Sequence, residues 1–374
     1  MATLRAIIDA LQSAADHRES VVLATVVRIT GSSYGGVGTR MVIRVDGSTI
    51  GIVSGGCLET DLAEHARMVH ATKHAKLVTY DTRADDDAAW GLGLGCNGLI
   101  DVFLEPLDSA NAGRLALMLR EAKDSAAPVV LATVISGGRS SMIGAHLLVT
   151  GDETSAIGDW GSSKIIEHVK ATVPAAMKEQ RRGVVTEYDG VTIAFETITP
   201  AIRLVICGSG PDVVPLVRFA GELGWNVTVV DHRPVTDDHA SRFPLARAVE
   251  CADPDDLVST AGVNAQTAAV VMSHHYARDL DYVRALLRSD ARYIGVLGPG
   301  ARSERMLADM SVAGDTIDRG ERLHSPVGLN IGGDGPDGIA LSIVAEVSAV
   351  MTGSDVKHLR DHAGALHPAS HASR

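Results

Sequence analysis

What this chain lacks is the first guide to its class. Cysteine is scarce: Cys57, Cys96, Cys207 and Cys251 are widely spaced and include no C-x-x-C pair, which argues against a disulfide framework or a structural zinc. No apolar run approaches the roughly 20 residues that span a bilayer. Residues 1–20 read as an amphipathic helix rather than a secretion signal. The cytoplasm is therefore the expected compartment, and a membrane is not an expected partner. Long basic runs are also missing and the net charge is −12, so nucleic acid is not an expected partner either. An anionic ligand would need local positive groups. At 374 residues the chain has room for two or three domains with full cores.

Glycine is concentrated where the chain looks most like a ligand site. Strand-like runs Val21–Ile29 and Met41–Val45 flank a loop holding Gly31, Ser32, Ser33, Gly35, Gly36 and Gly38, and a third run, Ile50–Val53, ends in Ser54-Gly55-Gly56-Cys57. Glycine at this density lets backbone N–H groups approach a ligand closely. Leu58, Leu62, Ala66 and Val69 then follow at helical spacing, which predicts Cys57 at a helix N-terminus, where an anion is favoured and a thiol's pKa falls. The plainer reading is a tight hairpin with a small buried residue at position 57.

An internal duplication supplies a control. Helix-like residues 4–16 leading into VVLATVV (21–27) are echoed about 108 positions later by residues 112–123 leading into PVVLATVI (128–135). RMVIRVDGSTIG (40–51) is echoed by HLLVTGDETSAIG (146–158), LVTYD (77–81) by VVTEYD (184–189), and VFLEP (102–106) by IAFET (193–197). Residues 1–199 thus read as two copies of a helix–hairpin–helix–strand unit, about 1–108 and 109–199. GSSYGGVG, SGGC and GLGLGCNG (91–98) belong to the first copy alone. That confinement points to a ligand role for Cys57 and draws in Cys96, the other thiol in a glycine setting.

Pro200 marks a boundary. Ile202–Cys207 reads as a buried strand, followed by the turn Gly208-Ser209-Gly210-Pro211-Asp212, a helical run, and Val227–Val230 ending in Asp231. This is the opening of a nucleotide-binding βαβ unit, with Val213 in place of the third fingerprint glycine. Strand and helix patterns continue to alternate through Ile339–Met351, which predicts a doubly wound parallel sheet over residues 200–352 and a loose tail over 353–374. Asp231, His232, Arg233, Ser273, His274, His275 and Arg302 fall at the carboxyl ends of its strands, where such sheets bind ligands. The adjacent pair His274-His275 points opposite ways on an extended segment, which disfavours joint metal ligation.

Taken together, ATVVRITGSSYGGVGTRM, GIVSGGCLE, GLGLGCNGLIDVFLEP, YIGVLGPGARSERML and LHSPVGLNIGGDGPDGIALSIVAEV resemble the xanthine dehydrogenase accessory and carbon monoxide dehydrogenase maturation family, the XdhC/CoxI family. The resemblance implies an α/β fold, a duplicated α+β N-terminal domain followed by a Rossmann-type domain. It also implies a maturation factor, an accessory protein rather than an enzyme, that binds molybdenum cofactor (molybdopterin) transiently. The cofactor would pass, during sulfuration by a cysteine desulfurase, to a client molybdenum hydroxylase of the xanthine or CO dehydrogenase type. On that footing Cys57 contacts the metal, the glycine loop and Gly55–Gly56 cradle the anion, Arg40 neutralises charge, and Cys96 lies nearby or carries sulfur. Gly208, Gly210, Asp231, His274 and Arg302 would serve the second domain's nucleotide or cofactor contacts. A homodimer is expected. Where the family commonly has GSSPRPPG and Gly-x-Gly-His, this chain has GSSYGGVG and Gly210-Pro211-Asp212. Two other readings stand beside this one: an NAD(P)-dependent oxidoreductase using Gly208, Gly210 and Asp231, and a docking scaffold without a small-molecule ligand.

Overall fold

Apolar residues at positions 4, 7, 8, 11 and 14 form one stripe of α1 (Leu4–Asp16), with Ile7, Ile8, Leu11 and Ala14 buried. The computed structural model describes residues 4–31, 33–81, 98–179, 183–313 and 322–361. After α1 the chain forms β1 (Val21–Gly31), the hairpin of β2 (Arg40–Arg44) and β3 (Thr49–Gly51), α2 (Glu59–Thr72), β4 (Lys76–Asp81) and β5 (Gly98–Leu107). The series then repeats. Asp108 caps α3 (Ser109–Asp124) by accepting the Asn111 N–H at 2.7 Å. There follow β6 (Val129–Gly137), β7 (His146–Thr150), β8 (Glu153–Ile157), α4 (Ser163–Lys178), β9 (Val184–Tyr188) and β10 (Val191–Ile198).

The two copies build two antiparallel sheets of matching order, β3-β2-β1-β5-β4 and β8-β7-β6-β10-β9. Strand alternation divides their cores. Val21 and Leu23 share a cluster with α1, α3 and Leu131 of β6, while Val22, Ala24 and Val26 face Leu62, Ala66 and Val69 of α2. A bulge in β1 between Val26 and Arg28 shifts the alternation by one, so Val26 and Ile29, three apart, both reach the α2 side. Helices α1 and α3 therefore lie in a core common to both copies, and Val27, Phe103, Ile135 and Ala194 join the sheets again beyond it. Each fully buried Leu or Ile in these clusters contributes about 1.5–3 kcal/mol.

The chain divides into two compact units, one running to Pro200 with Leu359–Asp361 belonging to it, the other Ala201–His358. The second unit is a six-stranded parallel sheet: β11 (Arg203–Cys207), β12 (Asn226–Asp231), β13 (Ala248–Cys251), β14 (Thr267–Val271), β15 (Tyr293–Val296) and β16 (Leu323–His324), in the order β13-β12-β11-β14-β15-β16. Its helices are α5 (Val213–Glu222), α6 (Asp237–Ser241), α7 (Leu257–Thr260), α8 (Tyr276–Leu287), α9 (Gly300–Val312) and α10 (Gly335–Thr352). α5 and α10 cover one face, α7, α8 and α9 the other. The topological switch point lies between β11 and β14. α10 starts four residues before the predicted Ile339 because Pro336 occupies its first turn, where a missing N–H costs nothing. Among the described residues no helix is long and apolar enough to cross a membrane.

Candidate functional site

The turn before α2 is built around a carboxylate. Gly55 and Gly56 hold φ values of +83° and +116°, which folds Ser54-Gly55-Gly56 back over the helix start. Into the hollow they leave goes the side chain of Glu59. Its Oε1 accepts the N–H groups of Val53 at 2.9 Å and Ser54 at 2.8 Å, and its Oε2 accepts the Ser54 hydroxyl at 2.7 Å and the Gly56 N–H at 2.9 Å. Ser54 Oγ in turn accepts the Leu58 N–H at 2.7 Å. Burial pushes the Glu59 carboxyl up, but the Ser54 and Val53 donors outweigh it and hold the group below its ordinary value. The anion cradle expected at Gly55–Gly56 thus exists, and the protein's own carboxylate occupies it.

Cys57 stands exposed at the crest of this turn, one residue before Leu58, the N-cap residue of α2. A side chain at Gly56 would meet nothing within 4 Å, so space is open beside the thiol. Tyr34 of the glycine loop lies against Gly55 of the same turn. A Cβ built on Gly55 would come within 3.2–3.3 Å of the Tyr34 ring, and the ring is 54% exposed. An aromatic face from the glycine loop thus packs on the same turn that carries the thiol, at Gly55. Ser33 steadies the loop by donating to the Gly35 carbonyl, and Thr39 donates to the Gly36 carbonyl at 2.7 Å. Gly31 closes β1 opposite Gly98 at φ +87°.

Arg40 and Gly38 do something other than expected. Arg40 is 6% exposed and its guanidinium forks onto Glu196 of the second copy, Nη1 to Oε1 at 2.9 Å and Nη2 to Oε2 at 2.5 Å. Its charge is already compensated, which corrects the expectation that it neutralises a ligand. Gly38 is fixed by the same carboxylate, because a Cβ there would collide with Glu196 Oε1. Ser32 and Cys96 lie outside the described residues.

In the second unit the cationic groups at the strand ends are likewise engaged. Asp231, 3% exposed, accepts from Arg233 through N at 2.9 Å, Nε at 3.0 Å and Nη2 at 2.9 Å, and from Ser209 Oγ. Burial raises its pKa, yet the Arg233 and Ser209 bonds hold it well below the carboxylate range. The carboxylate expected to reach a ribose is therefore turned to its own neighbours. Arg302 donates to the fully buried Asp279 at 2.8 Å, and Asp279 also takes the Ser273 hydroxyl at 2.5 Å. Gly208, at φ +128°, lets the turn pass 2.7 Å from the Met272 carbonyl, measured from a built Cβ. Across the switch point His274 sits in the left-handed region at φ +61° and its Nε2 donates to Asp212 Oδ2 at 2.7 Å. Asp212 is the N-cap residue of α5, and its Oδ1 lies 2.5 Å from a Cβ built on Gly210. A carboxylate thus stands where a dinucleotide's pyrophosphate would seek the helix N-terminus. His275 points elsewhere and caps α8 by accepting the Arg278 N–H. Among the described residues no three His, Cys, Asp or Glu side chains gather closely enough to hold a metal ion.

Glu59, Tyr34 and Asp212 escape the sequence reading. The duplication does carry a signal for Glu196, since IAFET is the echo of VFLEP, and both hold a glutamate at the same place.

The comparisons with known proteins agree over nearly the whole chain. Residues 14–81 match the model described as the XdhC and CoxI family, and residues 204–347 that of the XdhC Rossmann domain. A Bacillus subtilis protein named as a probable xanthine dehydrogenase subunit is 32% identical over 348 residues, covering 93% of this chain and 97% of that protein. The Escherichia coli molybdenum cofactor insertion chaperone PaoD is 23% identical over 348 residues, 93% of this chain and 87% of PaoD. A crystal structure from Bacillus halodurans, described as a xanthine dehydrogenase, superposes with a TM-score of 0.73 at 30% identity, covering 96% of this chain and 98% of that one. With two family models in register and a relative matched along almost its full length, this chain belongs to the XdhC and CoxI family.

Proposed function

We propose that this protein is a maturation factor that binds molybdenum cofactor and delivers it to a molybdenum hydroxylase of the xanthine or CO dehydrogenase type. The observation that carries the reading is Cys57, a free exposed thiol on a turn pinned by Glu59 and flanked by the Tyr34 ring. A soft thiolate suits molybdenum as a ligand, and the open space at Gly56 admits a bulky metal group. When bound, the cofactor supplies a molybdenum centre at which oxygen is exchanged for sulfur. This chain's residues hold and orient it: Cys57 binds the metal, Tyr34 offers a flat apolar face, and the glycine loop carrying Gly31 and Ser33 is the proposed phosphate contact. A cysteine desulfurase is the fitting sulfur donor and a homodimer the fitting assembly. The NAD(P)-dependent alternative has less support, since Asp212 places carboxylate charge where the pyrophosphate would sit and Asp231, the residue that would reach a ribose, is already engaged by Arg233.

The test is the molybdenum and pterin content of the protein purified from a host that makes the cofactor, beside a Cys57→Ser variant. Near-stoichiometric molybdenum and pterin in the parent are expected to fall at least about tenfold with the substitution, a loss of about 1.4 kcal/mol or more in retention. The exposed position predicts folding stability within about 0.5 kcal/mol of the parent. Absence of both, even after incubation with free cofactor, would overturn the carrier reading; equal retention by the variant would overturn the role of Cys57.

A further inference from the structure

The duplication places two donor–carboxylate pairs at equivalent positions, and they are not equally complete. Arg40, opposite Thr25 at the start of β2, reaches across to Glu196 of β10. Its counterpart is His146, opposite Thr133 at the start of β7, which reaches across to Glu105 of β5. Glu105 and Glu196 are themselves equivalent, opposite Leu23 and Leu131. Each copy thus gives a nitrogen donor to a glutamate on the other copy's last strand.

A guanidinium has a fork of donors and an imidazole has not. Arg40 satisfies both oxygens of Glu196. His146 turns Nδ1 to the Thr133 hydroxyl at 3.0 Å and gives only Nε2 to Glu105 Oε2, at 2.9 Å. The second Glu105 oxygen has no hydrogen-bond partner among the described residues and is not one of the fully buried atoms left unpaired, so solvent reaches it, and Glu105 lines the adjoining cavity. Beside this carboxylate lies a cavity of about 290 Å³ that both Glu105 and His146 line. Leu115, Ile143 and Ile157 give it apolar walls, and Lys73 and Ser141 are among its polar lining. That volume would hold about ten waters at liquid density, or one planar bicyclic heterocycle.

We propose that this cavity is a second ligand site, which takes a planar heterocycle presenting a ring N–H beside an exocyclic amino group, the edge shared by pterins and guanine. Such an edge supplies to Glu105 the donor fork that Arg40 supplies to Glu196. The buried carboxylate selects N–H donors, and the apolar walls select a flat ring. The site is distinct from the thiol turn: Cys57 precedes α2 and Lys73 caps its other end, roughly 20 Å away along a helix of 14 residues.

The probe is isocytosine, a small heterocycle with this edge, followed by ligand-observed saturation-transfer NMR on the full chain. Cytosine, which lacks the N–H beside its amino group, is the control. Isocytosine is expected to bind at least about tenfold more tightly than cytosine. His146→Arg would install the resident fork of the first copy and is expected to weaken isocytosine at least about tenfold while the protein remains folded by its melting curve. Glu105→Gln is expected to do the same. No transfer to isocytosine in the parent, equal transfer to cytosine, or unchanged binding in His146→Arg would each overturn the proposal. 6-Hydroxymethylpterin and guanine then tell a pterin source from a purine one. Cys57→Ser leaves this binding unchanged, so the fate of this site and that of the cofactor reading are read separately.

Discussion

The two copies of the N-terminal unit have the same strand order and the same helix positions, yet one carries a thiol turn and the other a carboxylate turn. In the first, Glu59 fills a nest of N–H groups and leaves Cys57 at the crest. In the second, Asp159 accepts the Gly161 N–H at 2.8 Å and the Ser141 hydroxyl at 2.8 Å, and Trp160 turns inward, 5% exposed. An acid organises the turn in both, so the acid belongs to the fold. The thiol is an addition to one copy only. The same asymmetry governs the interior, where a fully forked guanidinium on one side faces a single-donor imidazole on the other.

The largest expected effect comes from breaking the complete pair. Arg40→Met leaves the partly buried Glu196 without its partner and is expected to cost about 3–4 kcal/mol in denaturant unfolding. Most of that loss should return in Arg40→Met with Glu196→Leu. Independence of the second change would show that the two side chains are not coupled.

Next come the glycines two residues before Arg40 and His146. Gly38 and Gly144 hold φ values of +84° and +85°, but a Cβ at 38 would overlap Glu196 Oε1 whereas one at 144 stays 3.5 Å from Glu105 Oε2. Alanine is expected to cost about 1 kcal/mol at 144, from backbone strain, and about 3 kcal/mol at 38, where crowding adds to it. Equal costs would mean that the Glu196 carboxylate moves aside freely.

The smallest effect is at the thiol turn. Glu59→Gln keeps the shape but exchanges one acceptor oxygen for an amino group facing N–H donors, and about 1–2 kcal/mol is expected. The Glu59 pKa is lowered from its ordinary value of 4.5, so its contribution is complete above that pH and is lost as pH falls through the lower folded value. The parent's stability should therefore decline on the acid side of 4.5 more steeply than that of the variant. Parallel acid limbs would remove Glu59 from the account.

These contrasts also mark what the residues alone could tell. Repeated hydrophobic strings disclosed both sheets, because a buried strand needs apolar residues whatever its partner. The thiol's place before α2 was legible from the spacing of Leu58, Leu62, Ala66 and Val69. The use of Arg40 was not, since an arginine beside a glycine loop reads the same whether its fork meets a ligand or a carboxylate 156 residues on. Asp231 misleads for a related reason. Its position at the end of β12 suggests a ribose, and only the fold brings Ser209 back to it from the neighbouring strand end.

The turn held by Glu59 bears on how a cargo can be let go. Its N–H groups are satisfied by a side chain of the same segment, so the loop has its final shape before anything arrives and keeps it after departure. On the reading proposed above, loading then costs little ordering and release regains little. A carrier made this way can pass on its load without unfolding any part of itself.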